Sequence, residues 1–296
     1  MARIAALTVA YWSSAEIPPF AASLHASAAE GGHQVDLYVI DNSADPDEIA
    51  ALGAMPEIHR FIPSTENLGY GGGMNALVRS LDAEYDWYLV CNPDIRFRPS
   101  ALGALVAAGD RHPEAAVFGP LIFGDNGQVY PSARAFPSIR TGVGHALFAN
   151  AWPSNPWTAR YHRGGATDLT IEKSVDWLSG ACMMLRPEAF QSVDGFDEGF
   201  FMYFEDVDIA YRLARLGRQA IYVPDAVISH SGAHSTKNQA EYMRRVHHES
   251  ARRYLDKKYT GWWLAPLRLA LRIALWARRE GLAALSRRKS GSDRTG

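Results

Sequence analysis

Short apolar runs alternate with helix-patterned stretches from the first residues of this chain, and that alternation limits the fold more than any other feature. Ile4 to Ala10 reads as a strand; Ile17 to Glu30 carries apolar residues at helical spacing, and Gly31-Gly32 ends it. A second strand, Val35 to Ile40, closes on Asp41-Asn42-Ser43. A helix over Pro46 to Ala54 and a strand over Ile58 to Ile62 follow. The stretch Asn67 to Gly73, NLGYGGG, reads as a glycine-rich loop opening a helix over Met74 to Ser80, and Trp87 to Cys91 is a short, fully apolar fourth strand. Strands that alternate with helices pair in parallel, because each crossover returns the chain to the same sheet edge. The expected class is therefore α/β, with helices on both faces of a mostly parallel sheet.

Later segments are less regular. From about Gly119 to Lys173, Pro, Gly, Asn and Arg are frequent and periodicity is weak, as in lids and binding loops. Order resumes at Val175 in VDWLSGACMMLRPEAF, and from about Gln239 the chain is helical and basic, ending in the polar tail SRRKSGSDRTG. These shifts suggest a catalytic domain over 1–240, divided into halves at 118/119, and a helical segment over 241–296. At 296 residues, 47% hydrophobic and 21% charged, the composition is that of a folded, water-soluble protein, and a net charge of −2 argues against a nucleic-acid partner. Cys91 and Cys182 lie in apolar runs and read as buried thiols, consistent with a reducing cytoplasm. The N-terminus runs directly into a strand, so no secretory leader is expected, and no apolar stretch has the roughly 18 residues of a membrane span.

Two acidic centres carry the chemistry. In GFDEGFFMYFEDVDIAYRLARLG, Glu205, Asp206 and Asp208 open a helix; the strand AIYVP follows it, and His230 comes after that. A carboxylate pair at a helix mouth with an imidazole nearby can supply a general base and a metal ligand, although acids in a first turn also simply complement the helix dipole. The second centre is Asn92-Pro93-Asp94 at the end of the Trp87–Cys91 strand. It would put a carboxylate at the carboxyl edge of the sheet, where open α/β sheets bind ligands.

Taken in order, AYW, VIDN, NLGYGGGMN, CNPD, DWLSGACMMLRPEAF, the FEDVD segment and SHSG resemble the family 2 inverting glycosyltransferases, across roughly residues 4 to 240. Within them the chain is similar to bacterial rhamnosyltransferases that extend a lipid-linked cell-envelope saccharide. The resemblance implies the GT-A fold, a Rossmann-like sandwich of nucleotide-diphospho-sugar transferases. It also implies transfer of L-rhamnose from a nucleotide-sugar donor (dTDP-rhamnose), a polyprenyl-diphosphate saccharide acceptor, and Mg²⁺ or Mn²⁺ as cofactor. Ala10, Tyr11, Asp41, Asn67, Gly69, Gly71, Asn92 and Asp94 become the donor-binding residues: Tyr11 packs on the base, Asp41 accepts from its N3–H, and the glycines let backbone N–H groups approach phosphate or ribose. Asp94 and His230 become the metal ligands. The family's Asp-X-Asp pattern here begins with Asn92, which thins the ligand set. Asp206 is the expected base, with Glu205 next to it for orienting the acceptor and Asp208 as a structural acid. Asp176 and Trp177 match an acceptor subsite in which the indole is a stacking platform.

The segment Trp262 to Lys289 places Arg268, Arg272 and Arg279 on one flank of a helix behind a Trp pair. It reads either as a peripheral contact with an anionic membrane, on the inner face of the cell membrane, or as a helix packed on protein. A homo-oligomeric state stays open. Rival readings keep the fold with another donor (UDP-galactofuranose, UDP-glucose), make the chain a nucleotidyltransferase, or make it a non-catalytic sugar-binding module. A nucleotidyltransferase would place a cation in the first loop, TVAYWSSAE, which has none.

Overall fold

The computed structural model describes residues 1–138, 169–232, 240–266, 268–270 and 273. The first half runs β1 (Arg3–Ala10), α1 (Ile17–Glu30), β2 (Gln34–Asp41), α2 (Pro46–Gly53), β3 (Arg60–Pro63), α3 (Gly69–Arg79), β4 (Trp87–Cys91), β5 (Ile95–Phe97) and α4 (Ala101–Arg111). The second half runs β6 (Ala115–Gly124), β7 (Val129–Tyr130), β8 (Ala133–Arg134), β9 (Lys173–Val175), β10 (Trp177–Leu178), β11 (Cys182–Leu185), α5 (Pro187–Gln191), α6 (Glu205–Arg215), β12 (Gln219–His230) and α7 (Ala240–Lys258).

The main sheet has the order β3-β2-β1-β4-β11-β6-β12-β5. β3, β2, β1 and β4 pair in parallel, as do β6 and β12, while β11 enters antiparallel between the two groups. The parallel expectation holds, and period-2 alternation divides the core. Ile4, Ala6, Leu37, Val39, Leu89 and Cys91 face Phe20 and Leu24 of α1 and Leu102 and Leu105 of α4. Ala5, Leu7, Tyr38, Ile40, Tyr88 and Val90 face Met74 and Leu77 of α3, Phe190 of α5 and Ile209 of α6. Cys91 and Cys182 are buried free thiols, as expected.

Four boundaries differ from the sequence reading. The glycine run is the first turn of α3 and not a loop. A Cβ on Gly69, at φ +71°, would lie 2.3 Å from the Phe201 carbonyl oxygen, and one on Gly73 would lie 2.7 Å from Val9 Cγ2. The missing side chains let the helix press against β1 and the 196–201 loop. The supposed irregular stretch from Gly119 begins inside β6, where Gly119 makes room for Leu178 and Pro120 is tolerated beside an irregularity between Val223 and Val227 of β12. Residues 139–168 of that stretch lie outside the described residues. β12 is also longer than AIYVP, so His230 is its last residue and not a residue after it.

The fourth difference is the expected boundary at 240. Helix α7 packs on α6: Tyr254 is fully buried beside Trp177, Phe200, Val207 and Ala210. Arg253 and Lys257 bind Asp197, and Lys257 reaches Asp208 at 2.5 Å. The packed unit therefore extends through Lys258. Beyond it Trp262 and Trp263 are 81% and 67% exposed; of the expected Trp262–Lys289 helix, Arg272, Arg279 and the tail lie outside the described residues. No helix among the described residues is long and apolar enough to cross a membrane. Removing the buried ring with Tyr254→Ala should lower unfolding free energy by about 3–5 kcal/mol. Urea unfolding of the full chain measures this, and an unchanged midpoint would place α7 outside the core.

Candidate active site

The carboxyl edges of β1, β2 and β4 and the end of β12 border one cleft with the start of α6. Tyr11, Trp12, Asn42, Asn67, Gly69, Asn92, Asp94, Asp176, Trp177, Glu205, Asp206 and His230 line it. Both acidic centres of the sequence therefore open on the same space.

The Asp94–His230 pair follows from register. β12 runs antiparallel to β5 and sets His230 opposite Ile95, and Ser231 clamps the Asp94 carbonyl through its backbone N–H and its hydroxyl. His230 Nε2 then lies 3.0 Å from Asp94 Oδ1 and 3.2 Å from Asn92 Nδ2. Burial opposes ionisation of Asp94, but the His230 hydrogen bond and charge outweigh it and hold the carboxyl below its usual range. No cluster of three or more His, Cys, Asp or Glu fit for a metal occurs among the described residues. A carboxylate and an imidazole, with an amide beside them, suit a Mg²⁺ or Mn²⁺ ion that takes its remaining ligands from water and phosphate oxygens.

Asp206 is held by backbone. Its Oδ2 accepts from Gly180 N–H at 2.9 Å and its Oδ1 from Val207 N–H at 2.8 Å. The turn that aims it is strained: Tyr203 and Phe204 both have φ +67°, a conformation costing on the order of 1 kcal/mol each for a side-chain-bearing residue. Burial raises the Asp206 pKa, while the two N–H bonds and the charge of Arg134 pull it back. Glu205 is 6% exposed and its Oε2 has no partner. Burial, then the charge of Asp206, pushes it from 4.5 to about 8. At neutral pH the pair thus consists of a neutral acid beside the group fit to take a proton. Asp208 is fully buried and ion-paired with Arg212 and Lys257, the structural acid expected of it.

Other expected contacts lie elsewhere. Asp41 is fully buried and is not among the residues lining the cleft; its carboxylate accepts from Ser43 N–H, the Ser43 hydroxyl and Ala44 N–H. Ala10 is buried in the core, and Gly71 packs against Phe196 within α3. Asn67 reaches the cleft but its Oδ1 accepts from Gly69 N–H. Trp177 is only 8% exposed; its indole N–H donates to the Ala135 carbonyl and Arg134 covers a ring face, so it is a wall rather than an open platform. Asp176 accepts from Phe136 N–H at the rim.

Three lining residues escaped the sequence reading. Tyr70 donates to the Gly180 carbonyl at 2.6 Å and so steadies the residue whose N–H holds Asp206. Asn42 donates to the Gly69 carbonyl, while its buried Oδ1 is unpartnered. Arg134 stands over Trp177. Tyr70 and Asn42 lie inside the motifs NLGYGGG and VIDN; Arg134 lies in a stretch without periodicity.

Linkage at Glu205 has a definite sign. Between pH 4.5 and about 8 the folded state keeps a proton that the unfolded state has lost, so this group's burial makes stability fall as pH rises through that window. Glu205→Gln removes the titration. Its stability relative to wild type should therefore grow from pH 5 to pH 8 in urea unfolding, and a pH-independent difference would show that Glu205 ionises normally.

Residues 5–250 match the family described as glycosyltransferase like family 2. The chain is 38% identical over 294 residues, 96% of this chain and 94% of the relative, to the N-acetylglucosaminyl-diphospho-decaprenol L-rhamnosyltransferase of Mycobacterium tuberculosis. It is 39% identical over 84 residues, 28% of this chain and 32% of the relative, to Rhamnosyltransferase WbbL of Escherichia coli. Among solved structures, the mannosyltransferase PcManGT from Pyrobaculum calidifontis, in complex with GDP-Man and Mn²⁺, matches at TM-score 0.58 and 13% identity, covering 98% of this chain and 80% of that one. At such identity the likeness is one of fold, the GT-A fold anticipated above. With a family match over most of its length and a relative similar from end to end, this chain belongs to the glycosyltransferase family 2.

Proposed function

We propose that this enzyme transfers L-rhamnose from dTDP-rhamnose, with inversion, to a saccharide carried on polyprenyl diphosphate. The observation that carries the reading is the pairing, in one cleft, of a backbone-held Asp206 with the Asp94–His230 pair, in a chain 38% identical over 96% of its length to a rhamnosyltransferase. The Asp206 carboxylate takes the proton of the acceptor hydroxyl as that oxygen bonds to the anomeric carbon. The bond from that carbon to the donor phosphate breaks on the opposite face, releasing the nucleoside diphosphate. One base suffices because no covalent enzyme intermediate forms. Glu205, neutral and unpartnered, donates to the acceptor and keeps a second negative charge away from Asp206. Asp94 and His230 would hold Mg²⁺ or Mn²⁺, which when bound neutralises the departing diphosphate.

Asp206→Asn should lower turnover by about 10²–10⁴-fold with nucleotide affinity nearly unchanged. The assay is transfer from dTDP-rhamnose, with UDP-sugars as comparison donors and with EDTA as a further arm. Wild-type turnover by the variant would remove Asp206 as the base, and full activity in EDTA would remove the metal.

Trp262 and Trp263 stand out into solvent directly beyond α7, and the chain continues through Arg268, Arg272, Arg278 and Arg279. This supports a peripheral contact with anionic lipid, at the surface where a polyprenyl acceptor is anchored. Full-length protein should sediment with phosphatidylglycerol vesicles, far less with neutral ones, and be partly released by about 0.5 M salt, where the Debye length is only a few ångströms. Equal binding to both vesicle types would exclude an electrostatic anchor.

A further inference from the structure

The cleft has an unusual charge inventory. Glu16, Asp94, Asp125, Asp176, Glu205 and Asp206 line it, and among its described lining residues Arg134 is the one arginine or lysine. Most of those acids already have protein partners: Glu16 has Arg96, Asp94 has His230, Asp176 has Phe136 N–H, and Asp206 has two backbone N–H groups. No ion pair joins Arg134 to a described carboxylate.

The position of Arg134 is built rather than incidental. β8 pairs antiparallel with β10 in a register that sets Arg134 directly opposite Trp177. The guanidinium carbon sits 5.3 Å from the Trp177 ring centre and 5.4 Å from that of Tyr130, and Nε donates to the Pro131 carbonyl at 2.6 Å. Two rings and one hydrogen bond fix the plane of the group, so little freedom remains to be lost on binding. Of five guanidinium N–H donors one is engaged by a described residue, which leaves both terminal nitrogens available as a fork. Tyr130 in turn packs edge-on against His230, with ring centres 6.2 Å apart. Arg134 therefore stands between the Asp94–His230 end of the cleft and the Asp206 end.

A rigid cation with unused parallel donors, in a cleft that is otherwise acidic, matches a tetrahedral oxyanion accepting two hydrogen bonds. We propose that Arg134 is a diphosphate-binding residue of this cleft, gripping phosphate oxygens through its two terminal nitrogens. The inference rests on the glycosyltransferase reading, in which both substrates carry a diphosphate: the nucleotide of the donor and the polyprenyl diphosphate of the acceptor.

The test compares full-length wild type, Arg134→Met and Arg134→Lys, each first checked by thermal unfolding. TDP and TMP binding is measured by calorimetry with Mn²⁺, and KM is measured for an acceptor with its prenyl diphosphate and for a glycoside analogue lacking it. If the donor diphosphate is held, Arg134→Met weakens TDP by about 10–100-fold and TMP far less, the usual worth of a charge-assisted hydrogen-bond pair. If the acceptor diphosphate is held, nucleotide affinity stays put and KM rises by a similar factor for the diphosphate acceptor alone. In either case Arg134→Lys recovers part of the loss, since charge remains and the fork does not. Unchanged values throughout, or equal losses with and without the diphosphate, overturn the proposal and leave Arg134 as packing while the glycosyltransferase reading stands. Should Arg134→Met not fold, the same contrasts in Arg134→Lys decide, at smaller amplitude. A wild type that binds no nucleoside diphosphate overturns both readings.

Discussion

Gly180 is where the two halves of the molecule agree on the position of one carboxylate. Its N–H holds Asp206, which belongs to α6, and its carbonyl receives the Tyr70 hydroxyl, which belongs to α3. The loop that carries it runs between β10 and β11, and β11 is the antiparallel strand joining the two parallel groups of the sheet. Moving any of these elements would move Asp206. Asp206 has no ion-pair partner among the described residues, so its proton affinity is set by burial, by its two backbone donors and the charge of Arg134 that oppose it, and by what enters the cleft.

The site separates its carboxyl groups by environment rather than by residue type. Asp94, beside an imidazole, stays ionised and suits a cation; Glu205, shut away from water and next to a second acid, stays protonated. Asp206 lies between these conditions. Three carboxyl groups in one cleft are thus set apart in proton affinity without a change in covalent chemistry.

Much of this was legible in the sequence because the relevant signals were local. β1, α1 and β2 announce themselves by period, and the two acidic centres by their place at a strand end and a helix start. What stayed hidden depends on neighbours distant in sequence. The glycines of α3 look like a loop until Phe201 and Val9 are seen pressing on them. Gly119-Pro120 looks like a break until Leu178 and the irregularity in β12 are in place. Asp41 at a strand end cannot reveal that its own turn engages both its oxygens, and Trp177 cannot reveal that an arginine lies across its face. The basic helix α7 reads as an appendage because its apolar contacts are few and are spread among charges that find Asp197 and Asp208.

The bonds made by Lys257 have a mechanical meaning. One ammonium group reaches both Asp197, ahead of the aromatic turn, and Asp208, within the helix that carries Asp206. Helix α7 is thereby fastened to the helix that carries Asp206. Just past its end, Arg268 donates to the carbonyls of Tyr259 and Gly261, which ties down the stem of the Trp262–Trp263 pair. The tryptophans are thus joined to the cleft through one helix and its ion pairs. A surface that took up those two rings would also set which way the cleft faces, and hence from which side a second substrate would approach.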